Sequence, residues 1–145
     1  VLPCAKGAPK PDISSVDAFR RTLLAAKAVA YPGKGASGLY FVSLLDRMGI
    51  KSEMQVKLKP MEAEDTVEVV ARGDADLVVV VATRIMDVGG VDMVGPIPEE
   101  LQTKIGFAAG LSSSAKEPDA AKSLIRFMTA PSAAATLRAK GVDPI

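Results

Sequence analysis

Between residues 33 and 38 the chain reads Gly33-Lys34-Gly35-Ala36-Ser37-Gly38, with an apolar run before it and a one-face apolar pattern after it. Glycines let the backbone approach a ligand closely, and a helix starting in such a loop presents free N–H groups and the positive end of its dipole. The chemistry on offer is capture of an oxyanion. The spacing is not that of a P-loop, because Lys34 precedes the serine instead of following a second glycine at the required distance. Nor is it a dinucleotide fingerprint. Gly33, Gly35 and Gly38 fit the glycine pattern, but no acidic residue closes a strand about 20 residues further on. An ordinary strand-to-helix turn capped by Ser37 is the competing reading.

Ser112-Ser113-Ser114 is a hydroxyl cluster, but the chain has no histidine, so a serine nucleophile would have to be activated by Lys116. A polar loop ahead of a helix accounts for the same residues. Glu62, Glu64 and Asp65 stand where a helix begins, and Asp74 and Asp76 flank the next turn. Dipole complementation and capping explain both groups, and no metal is assigned to either. Cys4, the single cysteine, has no recognisable base beside it and reads as a small buried residue. No cofactor is expected.

The elements that must position these groups follow from composition and periodicity. The 145 residues are 48% hydrophobic and 24% charged, the balance of a folded globular chain long enough for one domain or two small lobes sharing a hinge. Eighteen basic against 17 acidic residues leave a formal charge of +1. That charge provides no field for nucleic acid, and with no tryptophan there is little to stack bases. The longest apolar stretch, starting at Leu77, falls far short of the roughly 20 residues a membrane helix needs. No export signal is visible at Val1-Leu2-Pro3-Cys4.

Pro9, Pro11 and Gly7 suit an extended connector. A helix is expected from about Ser15 to Ala26, with a capping signal at Ser14 and Asp17. Ala28 to Tyr31 reads as a buried strand. The glycine loop then leads into a helix through Phe41, Leu44, Leu45 and Met48 that ends at Gly49. Alternation over residues 51–60 predicts a half-buried strand. Glu64 to Arg72 reads as a helix burying Val67, Val70 and Ala71, and Leu77 to Val81 as a strand covered on both faces. A strand at Val91 to Val94, a turn at Pro98 to Gln102 and a strand over Ile105 to Leu111 come next. Pro118 opens a helix burying Ala121, Leu124, Ile125 and Met128, and a last helix runs from about Pro131 to Gly141. Alternating strands and helices indicate an α/β fold with a largely parallel sheet.

Several blocks together resemble one family. Ala30 to Tyr40, with its YPGKGASG core, and Leu44-Leu45-Asp46-Arg47-Met48-Gly49-Ile50 look like the second lobe of molybdate-type periplasmic solute-binding proteins. Gly89 to Gln102 resembles the segment that returns to the first lobe, and Ala120 to Met128 with Pro131 and Gly141 resembles the C-terminal helices. Gly7 to Asp12 is similar to the stretch just after the first crossover. On that resemblance the family's first stretch, about 80 residues in domain-size terms, is missing.

The resemblance implies a fold of the periplasmic-binding-protein type II kind, with one complete lobe plus part of a second. Residues 1–13 would be the hinge or connector, 14–88 the second lobe, and 89–145 the return segment and C-terminal helices of the first lobe. It implies a non-enzymatic, periplasmic or extracellular receptor that hands a small oxyanion, or another small anion, to an ABC transporter permease. By correspondence the ligand would meet Lys34, Gly35, Ala36, Ser37 and Gly38, the helix start at Thr66, and the strand end at Val81, Ala82 and Thr83. An incomplete lobe would leave apolar surface that favours a homodimer. The alternatives are a divergent or truncated paralogue acting as an interaction protein, and the effector-sensing domain of a transcription regulator. The regulator would need an upstream DNA-binding helix-turn-helix segment that these residues lack. An enzyme built on Ser112 to Ser114 with Lys116 is the weakest reading.

Overall fold

The computed structural model describes residues 1–144; Ile145, the last residue of the expected 89–145 segment, lies outside them. The chain divides into two compact units, residues 1–105 and 106–145.

The first unit is a five-stranded sheet with helices on both faces. Its strands are β1 (Leu2–Ala5), β2 (Val29–Pro32), β3 (Leu58–Met61), β4 (Leu77–Val78) and β5 (Val91–Gly95), in the order β3-β2-β4-β1-β5. β2 pairs in parallel with β3 and β4, whereas β1 is antiparallel to β4 and β5. Four strands therefore share one direction and β1 alone opposes them. This is the mainly parallel α/β sheet expected.

Alternation along the strands divides the core. Leu2, Cys4, Val29, Leu77 and Val79 point to one face, where they meet Phe19 and Leu23 of α1 (Val16–Ala25), Phe41, Leu44 and Leu45 of α2 (Ala36–Arg47), and Met54 of α3 (Lys51–Met54). Ala30, Val78 and Val80 point to the other, against Val69 and Val70 of α4 (Glu68–Ala71). A run of consecutive apolar residues such as Leu77 to Val80 is what a strand covered on both faces requires. Each fully buried aliphatic side chain there contributes about 1.5–3 kcal/mol. Regular pairing is short, but Val79 N–H still reaches the Ala30 carbonyl at 3.0 Å and Val80 N–H the Val1 carbonyl at 3.2 Å.

Several expectations are corrected. Leu2–Ala5 lies inside the sheet rather than in a connector, because Leu2 and Cys4 fill the core. Ser15, not Ser14, caps α1, accepting from the Ala18 N–H at 3.1 Å. Residues 51–54 are helical although residues 51–60 alternate. Ile50 and Met54, four apart, are both fully buried, and a helical turn puts both on one side. Gly49 (φ +68°) ends α2 with its N–H on the Asp46 carbonyl, which turns the chain directly into α3. β3 starts only at Leu58. β5 pairs with β1 in the same sheet as the residues expected to form a separate lobe.

The second unit holds α5 (Pro118–Thr129) and α6 (Ala134–Ala139), with Pro118 in the first turn of α5. Residues 105–111 form no strand. Gly106 and Gly110 weaken one, and no strand among the described residues pairs with it. α5 buries none of its residues, so Ala121, Leu124, Ile125 and Met128 do not form the expected covered face.

Candidate functional site

In an open sheet of co-directional strands, ligands sit beyond the carboxyl ends, where loops and helix N-termini converge. Here the carboxyl ends of β3, β2 and β4 lead into Glu62 to Thr66, Gly33 to Ser37, and Val81 to Thr83. The order β3-β2-β4 places the glycine loop between the other two. All three segments selected from the sequence therefore share one end of the sheet.

The parallel register sets the β2 and β3 exits side by side. Pro32 is opposite Met61, and Gly33 N–H donates to the Met61 carbonyl at 2.9 Å. One residue further along each chain, Lys34 Nζ meets Glu62 Oε1 at 3.0 Å. Both side chains are largely exposed, at 85% and 66%.

Gly35 is the N-cap of α2, in an extended conformation (φ −84°, ψ 156°), and no side chain caps the helix. The first intrahelical bond runs from Leu39 N–H to the Gly35 carbonyl at 3.0 Å, so the amides of Ala36, Ser37 and Gly38 precede the ladder. Ala36 is exposed and Ser37 half-buried. The Ser37 hydroxyl makes no hydrogen bond to the described residues, so it is available and is not the cap of its own helix. Gly38 has a packing role as well. A Cβ there would lie 1.7 Å from the Pro32 carbonyl oxygen, so α2 can lie this close to β2 only with glycine at that position.

Thr66 is buried, and its hydroxyl donates to the Glu62 carbonyl at 2.8 Å, with the Ala63 carbonyl at 3.2 Å. That side chain closes the turn ahead of α4 and does not face outward. Val81, Ala82 and Thr83 are half-buried. The Val81 and Ala82 carbonyls accept from Arg84 and Ile85 N–H at 3.1 Å each, which makes the tight turn that follows β4. Thr83 lines a cavity of about 280 Å³ with Glu64, Val67, Glu68, Arg84 and Asp87, and one carboxylate oxygen of Glu68 is buried with no hydrogen-bond partner among the described residues. A groove of about 690 Å³ lies between Ile13 and Ser14 on one side and Pro96 to Lys104 on the other.

The other candidates have local roles. Asp76 Oδ2 accepts from Lys27 N–H at 2.5 Å and Ala28 N–H at 3.4 Å, fixing the entry to β2. Asp74 meets Arg72 Nε at 3.4 Å. Ser112 and Ser114 bond to each other at 3.0 Å on an exposed turn. Cys4 is buried, and burial, with the charge of Asp92 as a smaller cause, pushes its thiol up from the ordinary value. Sequence reading placed Glu62 only in a capping cluster. Its proximity to Lys34 was legible only once β2 and β3 were paired in parallel with Pro32 opposite Met61.

The model of the bacterial extracellular solute-binding protein family matches residues 1–143. An aconitate isomerase from Pseudomonas sp. is 36% identical over 141 residues, which are 97% of this chain and 53% of that protein. The chain thus spans about half the length of this curated relative. Two solved structures share the fold at a TM-score of 0.70. A Clostridium difficile chain assigned as the substrate-binding domain of a molybdenum ABC transporter is 18% identical, covering 100% of this chain and 62% of that one. The periplasmic molybdate-binding protein of Azotobacter vinelandii is 19% identical, covering 97% and 62%.

Proposed function

The chain belongs to the bacterial extracellular solute-binding protein family, and from that premise we propose that it contributes the anion-binding lobe of a receptor serving an ABC transporter. The observation that carries the reading is the uncapped start of α2, at the carboxyl ends of the parallel strands, beside the unbonded Ser37 hydroxyl. Three amides, a hydroxyl and a helix dipole suit an oxyanion without any covalent chemistry. Lys34 and the amides of Gly35 to Gly38 are the proposed contacts, with the turn at Val81, Ala82 and Thr83 on one flank. From the Thr66 segment the backbone is the proposed contributor, since the hydroxyl is bonded internally.

In this reading residues 1–105 form the second lobe and residues 106–145 belong with the first. The location is periplasmic or extracellular and the protein partner is a permease. Self-association through the exposed apolar side chains of α5 is the corresponding proposal for assembly.

A second reading is supported by the relative named aconitate isomerase. Its substrate is a tricarboxylate, so the same amides and Lys34 would hold a carboxylate group, and the site would turn its ligand over rather than only bind it. Both readings require an anion at the start of α2. Titration calorimetry with molybdate, tungstate, sulfate and phosphate, alongside cis- and trans-aconitate, tests them together. Saturable binding of an inorganic oxyanion with no turnover supports the receptor. Interconversion of the aconitates, followed by ultraviolet absorbance, supports the isomerase. Silence from all six ligands overturns both.

A further inference from the structure

The exits of β2 and β3 place a cation and an anion of the chain in contact at the mouth of the proposed site, and only the cation helps an anionic ligand. We propose that Glu62 is an affinity-setting residue, a built-in competitor that occupies Lys34 until a ligand displaces it. The inference rests on the anion-binding reading of the α2 start.

Three observations fix the arrangement. The Lys34 Nζ to Glu62 Oε1 distance is 3.0 Å. The two loops cannot drift apart freely, because Gly33 N–H is bonded to the Met61 carbonyl at 2.9 Å, and a Cβ on Gly33 would stand 3.2 Å from that of Pro60. The Glu62 carbonyl also accepts the Thr66 hydroxyl at 2.8 Å, which holds the backbone of that residue in place. The Glu62 side chain thus leaves an anchored position and needs no rearrangement to reach Lys34.

The consequence is electrostatic. A free Lys34 would add a full positive charge beside the partial one at the helix start, but paired with Glu62 it adds almost nothing at longer range. The pair is exposed, so a ligand can break it, and the competition is modest. Exposed pairs of this kind are worth about a 1.5- to fivefold change in an equilibrium constant, less in high salt.

Calorimetry with molybdate, sulfate and the two aconitates on wild type, Glu62→Gln, Lys34→Ala and the double variant tests the proposal. The Glu62→Gln variant is expected to bind about two- to fivefold more tightly in dilute buffer, with the gain shrinking in about 0.5 M salt. Lys34→Ala is expected to lose more affinity in the Glu62→Gln background than in wild type, a coupling that a purely structural role for Glu62 would not produce. If wild type binds and Glu62→Gln binds equally or more weakly at an unchanged melting temperature, the competitor is overturned while the anion reading stands. If no variant binds any of the four anions, the anion reading itself falls, and the competitor with it.

Discussion

The Tyr40 hydroxyl donates a 2.6 Å hydrogen bond to the carbonyl of Leu101, joining α2 to the turn at Glu99–Leu101, 61 residues away in the chain. The helix whose start forms the candidate site is thereby tied near its middle to a segment just before the end of the first unit. Leu101 itself is buried in the same apolar cluster as Phe41 and Leu44. Replacing Tyr40 by Phe keeps the ring and removes the donor, leaving a partly buried carbonyl without its partner. A loss of about 1 kcal/mol is expected. Urea denaturation measures it, and hydrogen exchange should localise the loosening to residues 99–102.

Gly35 is the N-cap of α2 and Gly38 lies three residues on in its first turn, yet their replacement by alanine should differ sharply. At Gly38 the new Cβ would stand 1.7 Å from a backbone oxygen of β2, which cannot yield without moving the helix from the sheet. At Gly35 the nearest atom is the Pro32 Cβ at 3.2 Å, and its φ of −84° is open to any residue. Gly38→Ala is expected to cost about 3 kcal/mol or more, and Gly35→Ala under about 1 kcal/mol. Parallel chemical denaturation of the two variants checks the contrast.

Ser37→Ala separates binding from stability. The hydroxyl has no protein partner among the described residues, so its removal should leave the melting temperature within about a degree of wild type. A hydrogen bond to a charged ligand is worth about 1.5–3 kcal/mol, so affinity for any bound anion should fall about tenfold or more. Calorimetry and a thermal scan on the same preparation read both quantities.

Cys4 supplies a pH dependence. Its thiol is pushed above the ordinary value of 9.0 chiefly by burial, with the Asp92 charge adding to the rise. The folded chain therefore holds this proton more tightly than the unfolded chain does. The resulting stability is fully present below the unfolded value and is lost as pH rises through the folded one. Between pH 7 and pH 10, wild type should lose more stability than Cys4→Ala. The native thiol should also react slowly with iodoacetamide at pH 8 and rapidly once urea is added.

Much of this was legible in the sequence because burial leaves a pattern. The run from Leu77 to Val81 reads as a strand covered twice, and Phe41, Leu44 and Leu45 as one helix face; the two-sided burial of Leu77 to Val80 and the helix face are found, but the strand itself is only Leu77–Val78. Local capping signals located α1 to within a residue. What failed was periodicity over short spans. The alternation over residues 51–60 lost to the joint burial of Ile50 and Met54, a tertiary requirement that no window reveals. At the site, the sequence pointed to the glycine loop, but the inward turn of Thr66 and the pairing of Lys34 with Glu62 depend on which strands are neighbours. Pairing between distant strands is the information a single chain carries most weakly.

The amphipathic pattern of α5 predicted a face covered through Ala121, Leu124, Ile125 and Met128; in the structure Ala121 and Ile125 are only half-buried and Leu124 and Met128 are exposed. Leu124, Phe127 and Met128 are 57%, 69% and 38% exposed, and residues three and four apart stand together on one side of a helix. Three large apolar side chains grouped this way favour association. Sedimentation velocity on the chain should show a weight-average mass that rises with concentration. In a variant carrying Leu124→Glu and Phe127→Glu, each new charge would have to be desolvated in any apolar contact, so the rise should disappear. The first unit should keep its own unfolding transition in that variant, because neither residue belongs to its core. A wild-type chain that stays monomeric up to about 100 μM, where even contacts worth only about 5–6 kcal/mol would be populated, would show that this face does not pair with a second copy.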